Sequence, residues 1–169
     1  LAISKNGDLF TVTSSADIFK INVSTGDVAW SRNAVDSLYA DATDFFTSSG
    51  LVLTEDQVIF SSNFSTFSFD INSGATNWQN DVSSIETPII DGPNIFIVTK
   101  NGYFVIINKN TGKVISSTNI LKILKKRRQT TQVRSFIMGS NKIYSTTLNG
   151  FLIVSSAETG KAEYFIKIN

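Results

Sequence analysis

The sequence predicts an all-β chain built from about four small antiparallel sheets of four strands each. Three observations predict it. A Thr/Ser-Gly pair recurs at Thr25-Gly26, Ser73-Gly74, Thr111-Gly112 and Thr159-Gly160, with the glycines 48, 38 and 48 residues apart. That spacing is near the period of a four-stranded sheet used repeatedly. Short runs rich in Ile, Val, Phe and Tyr precede and follow each pair, as pleated, half-buried strands require. The composition agrees: 13 Phe and abundant Ser, Thr and Asn suit a chain of strands and turns.

The recurring phrase has a physical reading. Four residues before each glycine stand Asn22, Asp70, Asn108 and Ser156. Their short polar side chains accept backbone hydrogen bonds and fix a turn. Gly26, Gly74, Gly112 and Gly160 then supply the left-handed backbone that the corner needs. Four residues after the glycines stand Trp30, Trp78, Ser116 and Tyr164. An aromatic there reaches a neighbouring sheet and excludes water with its flat face. Ser116 is the one degraded copy.

Taken in order, unit one covers residues 1–32. Leu9–Thr13, Ile18–Ile21 and Val28–Trp30 are its strands, with Leu1–Ile3 the remnant of an innermost strand or of a preceding unit. A long connection follows at 33–49, tucked against the scaffold by Tyr39, Phe45 and Phe46. Its Asp36, Asp41 and Asp44 are too loosely spaced for a calcium loop, which alternates oxygen ligands tightly and ends in Glu. Unit two covers 50–81, with strands at Leu51–Leu53, Val58–Ser61, Phe67–Ile71 and Ala75–Gln79. Unit three covers 86–118, with strands at Thr87–Ile90, Ile95–Thr99, Tyr103–Ile107 and Val114–Ser117. Pro88 suits a strand start, and Asp91-Gly92-Pro93-Asn94 is a turn signal.

A basic insert at 119–132, NILKILKKRRQTTQ, interrupts the repeat. Its Ile and Leu residues alternate with Lys122, Lys125, Lys126, Arg127 and Arg128, a pattern that fits one or two amphipathic helical turns. Unit four covers 133–169, with strands at Phe136–Met138, Lys142–Thr146, Phe151–Ser155 and Ala162–Phe165. Ile166–Asn169 is expected to open a further unit.

The net charge of +1 conceals a segregation. Up to Asp91 there are 12 acidic and 3 basic residues; from Gly92 onward there are 2 acidic and 12 basic. The two parts are expected either to present opposite faces to a partner or simply to differ in loop composition. There is no Cys and no His, which removes disulfides, thiolate chemistry and the commonest general base. The sequence begins at Leu1 without a signal peptide or a membrane-spanning run, as a mature or incomplete segment would.

Small twisted sheets with two apolar faces cannot stand alone in water. Packing them side by side around an axis buries both faces and protects the edges. The expected fold is therefore a β-propeller of four-stranded antiparallel blades, with about four blades present as part of a larger, eight-bladed ring. A two-sheet sandwich competes, but does not account for the repeated glycine corner.

The run Asp70-Ile71-Asn72-Ser73-Gly74-Ala75-Thr76-Asn77-Trp78 resembles the tryptophan-docking motif of the quinoprotein-type (PQQ-like) propellers. Asn22, Thr25-Gly26-Asp27 and Trp30 look like a second copy, and the phrases at Gly112 and Gly160 like weaker ones. Within that family, residues 81–116 are similar to the BamB branch, lipoproteins of the outer-membrane β-barrel assembly machinery. The resemblance implies a non-enzymatic periplasmic scaffold, associated with the outer membrane and without a cofactor. Its implied partner is the barrel insertase of the assembly complex, bound through inter-blade loops. The candidate contact residues are Asp36, Asp41 and Asp44 on one loop and Lys122, Lys125, Lys126, Arg127 and Arg128 on the other. Peripheral proximity to a membrane is compatible with the basic insert. Nucleic acid is not expected, since neither a recognition helix nor a base-stacking platform accompanies that insert. The same family includes quinone-dependent alcohol and sugar dehydrogenases, which use a calcium or lanthanide ion, an Asp base and often an adjacent-cysteine disulfide. A fragment of such an enzyme, or a carbohydrate- or peptide-binding propeller, is the alternative.

Overall fold

A computed structural model describes residues 1–35 and 45–168, apart from the side chains at 127–129. The chain forms two compact units, Leu1–Pro88 and Ile89–Asn169, each holding two sheets. In the first unit, β1 (Ala2–Ile3), β2 (Asp8–Val12), β3 (Asp17–Asn22) and β4 (Val28–Asn33) make one sheet. The other contains β5 (Val52–Leu53), β6 (Gln57–Ser61), β7 (Thr66–Asp70) and β8 (Thr76–Asn80). In the second unit, β9 (Ile89–Asp91), β10 (Asn94–Val98), β11 (Tyr103–Asn108) and β12 (Val114–Asn119) make one sheet. The other contains β13 (Val133–Gly139), β14 (Lys142–Thr147), β15 (Phe151–Ser156) and β16 (Ala162–Lys167). All four sheets are antiparallel meanders in sequence order, the blade topology.

The second unit repeats the first at a constant offset. Gly26 and Gly112 are 86 residues apart, as are Gly74 and Gly160. At that offset β2, β3 and β4 fall on β10, β11 and β12 without slippage. The outermost pair of every sheet carries a bulge: between Lys20 and Ile21, Ser68 and Phe69, Ile106 and Ile107, and Val154 and Ser155. A bulge re-aims the residues beside it. Trp30, Trp78, Ser116 and Tyr164 are the first paired residues beyond it, opposite Lys20, Ser68, Ile106 and Val154.

Each unit has its own apolar core. Phe10, Ile18, Trp30, Phe60, Phe67 and Phe69 dominate the first, with Phe60 tilted against Phe67 at 5.2 Å and stacked on Phe69 at 6.1 Å. Phe96, Phe104, Ile106, Ile143, Phe151 and Ile153 dominate the second, with Phe96 stacked on Phe104 at 5.9 Å. Burying a side chain of this size removes enough apolar surface to contribute roughly 1.5–3 kcal/mol.

The structure corrects two expectations and sharpens a third. Ile166 and Lys167 do not open a further unit: they pair with Leu152 and Phe151 as the end of β16, and the Ile168 N–H donates to the Gly150 carbonyl at 2.7 Å. The strand runs on because those two backbone partners are still available opposite it. Phe45 does not tuck inward and is 89% exposed, whereas Phe46 stacks on Phe64 at 6.4 Å. The basic insert does form amphipathic helical turns, with Ile120, Leu121 and Leu124 buried and Lys122, Lys125 and Lys126 exposed. It forms a 3-10 segment over Ile120–Thr130, broken at Lys125 by a backbone turn of φ 52°, ψ −122°. Tyr39 lies outside the described residues.

Candidate functional site

The glycine corner is built the same way four times. The N–H of each glycine donates to the carbonyl four residues back, Gly26 to Asn22 at 2.8 Å and Gly74 to Asp70, Gly112 to Asn108 and Gly160 to Ser156 at 2.9 Å. Each of these glycines has φ between 67° and 79°. A residue with a Cβ is disfavoured there by clash with its own backbone. Side-chain oxygens complete the corner. Asn22 Oδ1 accepts from the Ser24 and Thr25 N–H groups, and Asn108 Oδ1 from those of Asn110 and Thr111. Asp70 Oδ1 accepts from the N–H of Asn72 at 3.1 Å and of Ser73 at 2.7 Å, and from the Ser73 hydroxyl at 2.8 Å. Ser156 Oγ accepts one, from the Thr159 N–H. The Ser73 backbone donor, followed by its hydroxyl, lowers the Asp70 pKa below the usual carboxylate value.

In the first unit Trp30 closes the space over the next corner. It is 7% exposed, its indole N–H donates to the Ile71 carbonyl at 3.3 Å, and its ring meets Phe10 edge-on at 5.9 Å. A Cβ on Gly74 would lie 2.7 Å from the indole ring, so the close approach demands glycine. The Arg32 guanidinium adds a bond to the Ser73 carbonyl at 3.3 Å.

The second unit makes the equivalent joint with other residues. Ser116 stands where Trp30 does, and Phe104 stands where Ile18 does. A Cβ on Gly160 would meet Phe104 at 2.7 Å and Thr118 at 3.1 Å. The Thr118 hydroxyl reaches the Thr159 carbonyl at 3.5 Å, as Arg32 reaches Ser73. Phe104 and Thr118 were not singled out from sequence, and a local phrase offers no signal for them. Trp78 is 8% exposed and Tyr164 is 49% exposed.

A cleft of about 430 Å³ opens beside the corner of the first unit, lined by Ile3, Lys5, Asp8, Phe10, Lys20 and Leu53 among others. Lys20 pairs with Asp8 at 3.1 Å and lies 5.8 Å from the Phe10 ring centroid. The matching cleft of the second unit, about 390 Å³, has Asn94 and Ile106 at those two positions.

The basic insert is a bracket fastened at both ends. The Ile120 N–H donates to the Gly102 carbonyl at 2.9 Å, and the Val133 N–H to that of Lys100 at 3.0 Å. The Leu148 N–H donates to the Gln132 carbonyl, and the Asn149 side-chain amide to the Thr130 carbonyl, both at 3.0 Å. Ile120, Leu121 and Leu124 are buried in the core of the second unit. Lys122, Lys125 and Lys126 are exposed. Arg127 and Arg128 continue the segment, and their side chains are outside the description, as are Asp36, Asp41 and Asp44 entirely. Among the described residues no three His, Cys, Asp or Glu side chains converge as a metal site would require. No helix among them is long and apolar enough to cross a membrane.

Four-stranded meanders with a shared glycine corner define a class, the β-propellers, and solved structures agree. BamB from Moraxella catarrhalis superposes with TM-score 0.72 at 20% identity, over 96% of this chain and 50% of its own. The β-propeller domain of Cps50 (Swd1) from Myceliophteria thermophila gives 0.74 at 10% identity, over 99% and 54%. Quinohemoprotein alcohol dehydrogenase from Comamonas testosteroni gives 0.71 at 12%, over 95% and 33%. At these identities the likeness shows the fold alone, and the chain spans about half the length of the first two. No curated protein sequence matches it. The family model described as outer membrane protein assembly factor BamB matches residues 1–118, and the chain belongs to that family.

Proposed function

We propose that this chain is part of a non-enzymatic scaffold in the assembly of outer-membrane β-barrel proteins. It would work in the periplasm, associated with the outer membrane, as a segment of a larger, eight-bladed propeller. The observation that carries this is the family match over residues 1–118. The architecture supports it physically. Rigid sheets with fixed corners hold the connecting loops in place, and loops on a rigid scaffold are where binding surfaces concentrate. The two long connections, after β4 and after β12, carry Asp36, Asp41 and Asp44 and the Lys122–Arg128 run. They are the proposed contacts with a barrel-inserting partner, and opposite charge there would tune encounter rate and specificity.

The test is genetic and direct. Deleting the full-length gene should reduce the folded outer-membrane barrel proteins recovered from cell envelopes, and restoring it should return them. Normal barrel levels in the deletion would reject the assembly role. The dehydrogenase reading predicts instead that the full-length protein oxidises an alcohol when supplied with pyrroloquinoline quinone and calcium.

A further inference from the structure

The two ends of the second unit differ in charge. The turn between β10 and β11, the insert, the turn between β14 and β15 and the end of β16 lie at one end of the strands. The hydrogen bonds from Ile120, Val133, Leu148 and Ile168 tie them together. Lys100, Lys122, Lys125 and Lys126 are exposed at that end. The unit's three carboxylates are elsewhere: Asp91 beside the β9–β10 turn, Glu158 in the β15–β16 corner and Glu163 near it, paired with Lys142. Among the described residues no carboxylate pairs with Lys100, Lys122, Lys125 or Lys126.

The insert also bears strain. Lys125 adopts φ 52°, ψ −122°, a region that glycine occupies freely and lysine does not. Backbone strain of this kind persists where the surroundings impose it. Here it kinks the segment directly after the buried Leu124, and the lysines on both sides of the kink are exposed. Two large apolar side chains stand at the same end: Leu148, 57% exposed, and Tyr103, 46% exposed.

We propose that this end of the second unit docks an acidic segment of a partner protein, one that places carboxylates on the lysines and an apolar residue against Leu148 and Tyr103. The proposal rests on the scaffold reading above and gives its partner a chemistry. An anionic bilayer fits less well. A membrane-surface segment turns an apolar stripe outward to the acyl boundary, whereas Ile120, Leu121 and Leu124 are turned into the protein core. The cations are also fixed to a bracket fastened at both ends, which suits a shaped partner.

The experiment uses the full-length protein and a fluorescent ten-residue peptide of Glu with one central Leu. The triple variant K122Q/K125Q/K126Q should bind it at least about tenfold more weakly. K109Q/K113Q/K161Q, at the opposite end of the same strands, should stay within about twofold. Equal losses in the two triples would show attraction to net charge alone and overturn the proposal. So would tighter binding to phosphatidylglycerol vesicles or to a single-stranded oligonucleotide than to the peptide. K125G separates docking from structure: it should raise the melting temperature while weakening the peptide, and unchanged peptide binding would count against the proposal. Loss of barrel assembly on deletion, with full rescue by K122Q/K125Q/K126Q, would reject this docking end and leave the scaffold role standing.

Discussion

The two units solve one packing problem in two ways. In the first, a glycine corner is covered by Trp30, whose indole bonds to the Ile71 carbonyl. In the second, the same corner at Gly160 is covered by Phe104 and Thr118, while Ser116 occupies the Trp position. The backbone is common to both: the same hydrogen bond from glycine to the carbonyl four residues back, the same positive φ and the same bulge before the position of Trp30 and Ser116. What the repeat preserves is a flat surface over a Cβ-free corner. The tryptophan is one way to fill it, and a larger residue on the strand next inward is another.

The sharpest way to break this comparison is at the covering residue. Trp30→Ala should destabilise the chain by about 3–5 kcal/mol, the usual cost of emptying a large aromatic site. Ser116→Ala should stay within about 0.5 kcal/mol. Denaturant unfolding of both variants measures the contrast. If the two joints are alternatives, grafting one onto the other should work: adding Ile18→Phe to Trp30→Ser should recover about 1–2 kcal/mol of the loss, a coupling of ordinary size for neighbours. Simple additivity of the two changes would mean that Phe104 is not standing in for the missing indole.

The corner itself gives the next largest effect. Gly26 and Gly74 share the left-handed backbone, but a Cβ meets nothing within 4 Å at Gly26 and the indole ring at 2.7 Å at Gly74. Gly26→Ala should therefore cost only the backbone term, about 1–2 kcal/mol. Gly74→Ala should add about 1–3 kcal/mol of overpacking. Gly160→Ala should resemble Gly74→Ala, because Phe104 presses equally close. Equal unfolding midpoints for Gly26→Ala and Gly74→Ala would show that the ring moves aside without cost.

These contrasts explain how much could be read from sequence. The corners were legible because everything that makes them is local: an acceptor, a Thr or Ser, a glycine and a strand on each side. All-β architecture, four-stranded blades and the family followed from that. The cover over Gly160 was not legible, because Phe104 lies 56 residues earlier in the chain and looks like any strand aromatic. The insert was half legible. Its helical turns and inward apolar residues follow the sequence pattern, but the kink at Lys125 does not, because nothing in Leu-Lys-Lys marks a residue for positive φ. Phe45 and Phe46 are adjacent aromatics with opposite fates, decided by whether a partner such as Phe64 lies within reach.

The clefts beside the corners differ by a charge pair that can be exchanged. Lys20 and Asp8 in the first unit match Ile106 and Asn94 in the second. The double variant D8N/K20I gives the first cleft the character of the second. Removing both members of a partly buried ion pair together leaves no unpaired charge behind, so a change within about 1 kcal/mol, or a small gain, is expected. A clearly larger loss in thermal or denaturant unfolding would show that the pair holds the cleft in shape.

The smallest effect concerns the corner acceptors, which are Asn22 and Asn108 at one position of the two units but Asp70 and Ser156 at the other. Only Asp70 titrates. Its folded pKa is lowered, chiefly by the Ser73 N–H and hydroxyl. A carboxyl with a depressed folded pKa contributes stability above its unfolded value, near pH 3.9, and loses it as pH falls through the folded value. Asp70→Asn keeps an acceptor oxygen, as the Asn22 and Asn108 corners do, and removes the titration. The stability difference between the parent chain and Asp70→Asn should thus be constant from neutral pH down to about pH 5 and should change steadily below it. Because Asp70 is only half-buried, solvent screens the effect and it will be small. Parallel acid-unfolding curves for the two proteins through that range would show that the Ser73 bonds do not favour the charged carboxylate, and that the corners of the two units are interchangeable at this position too.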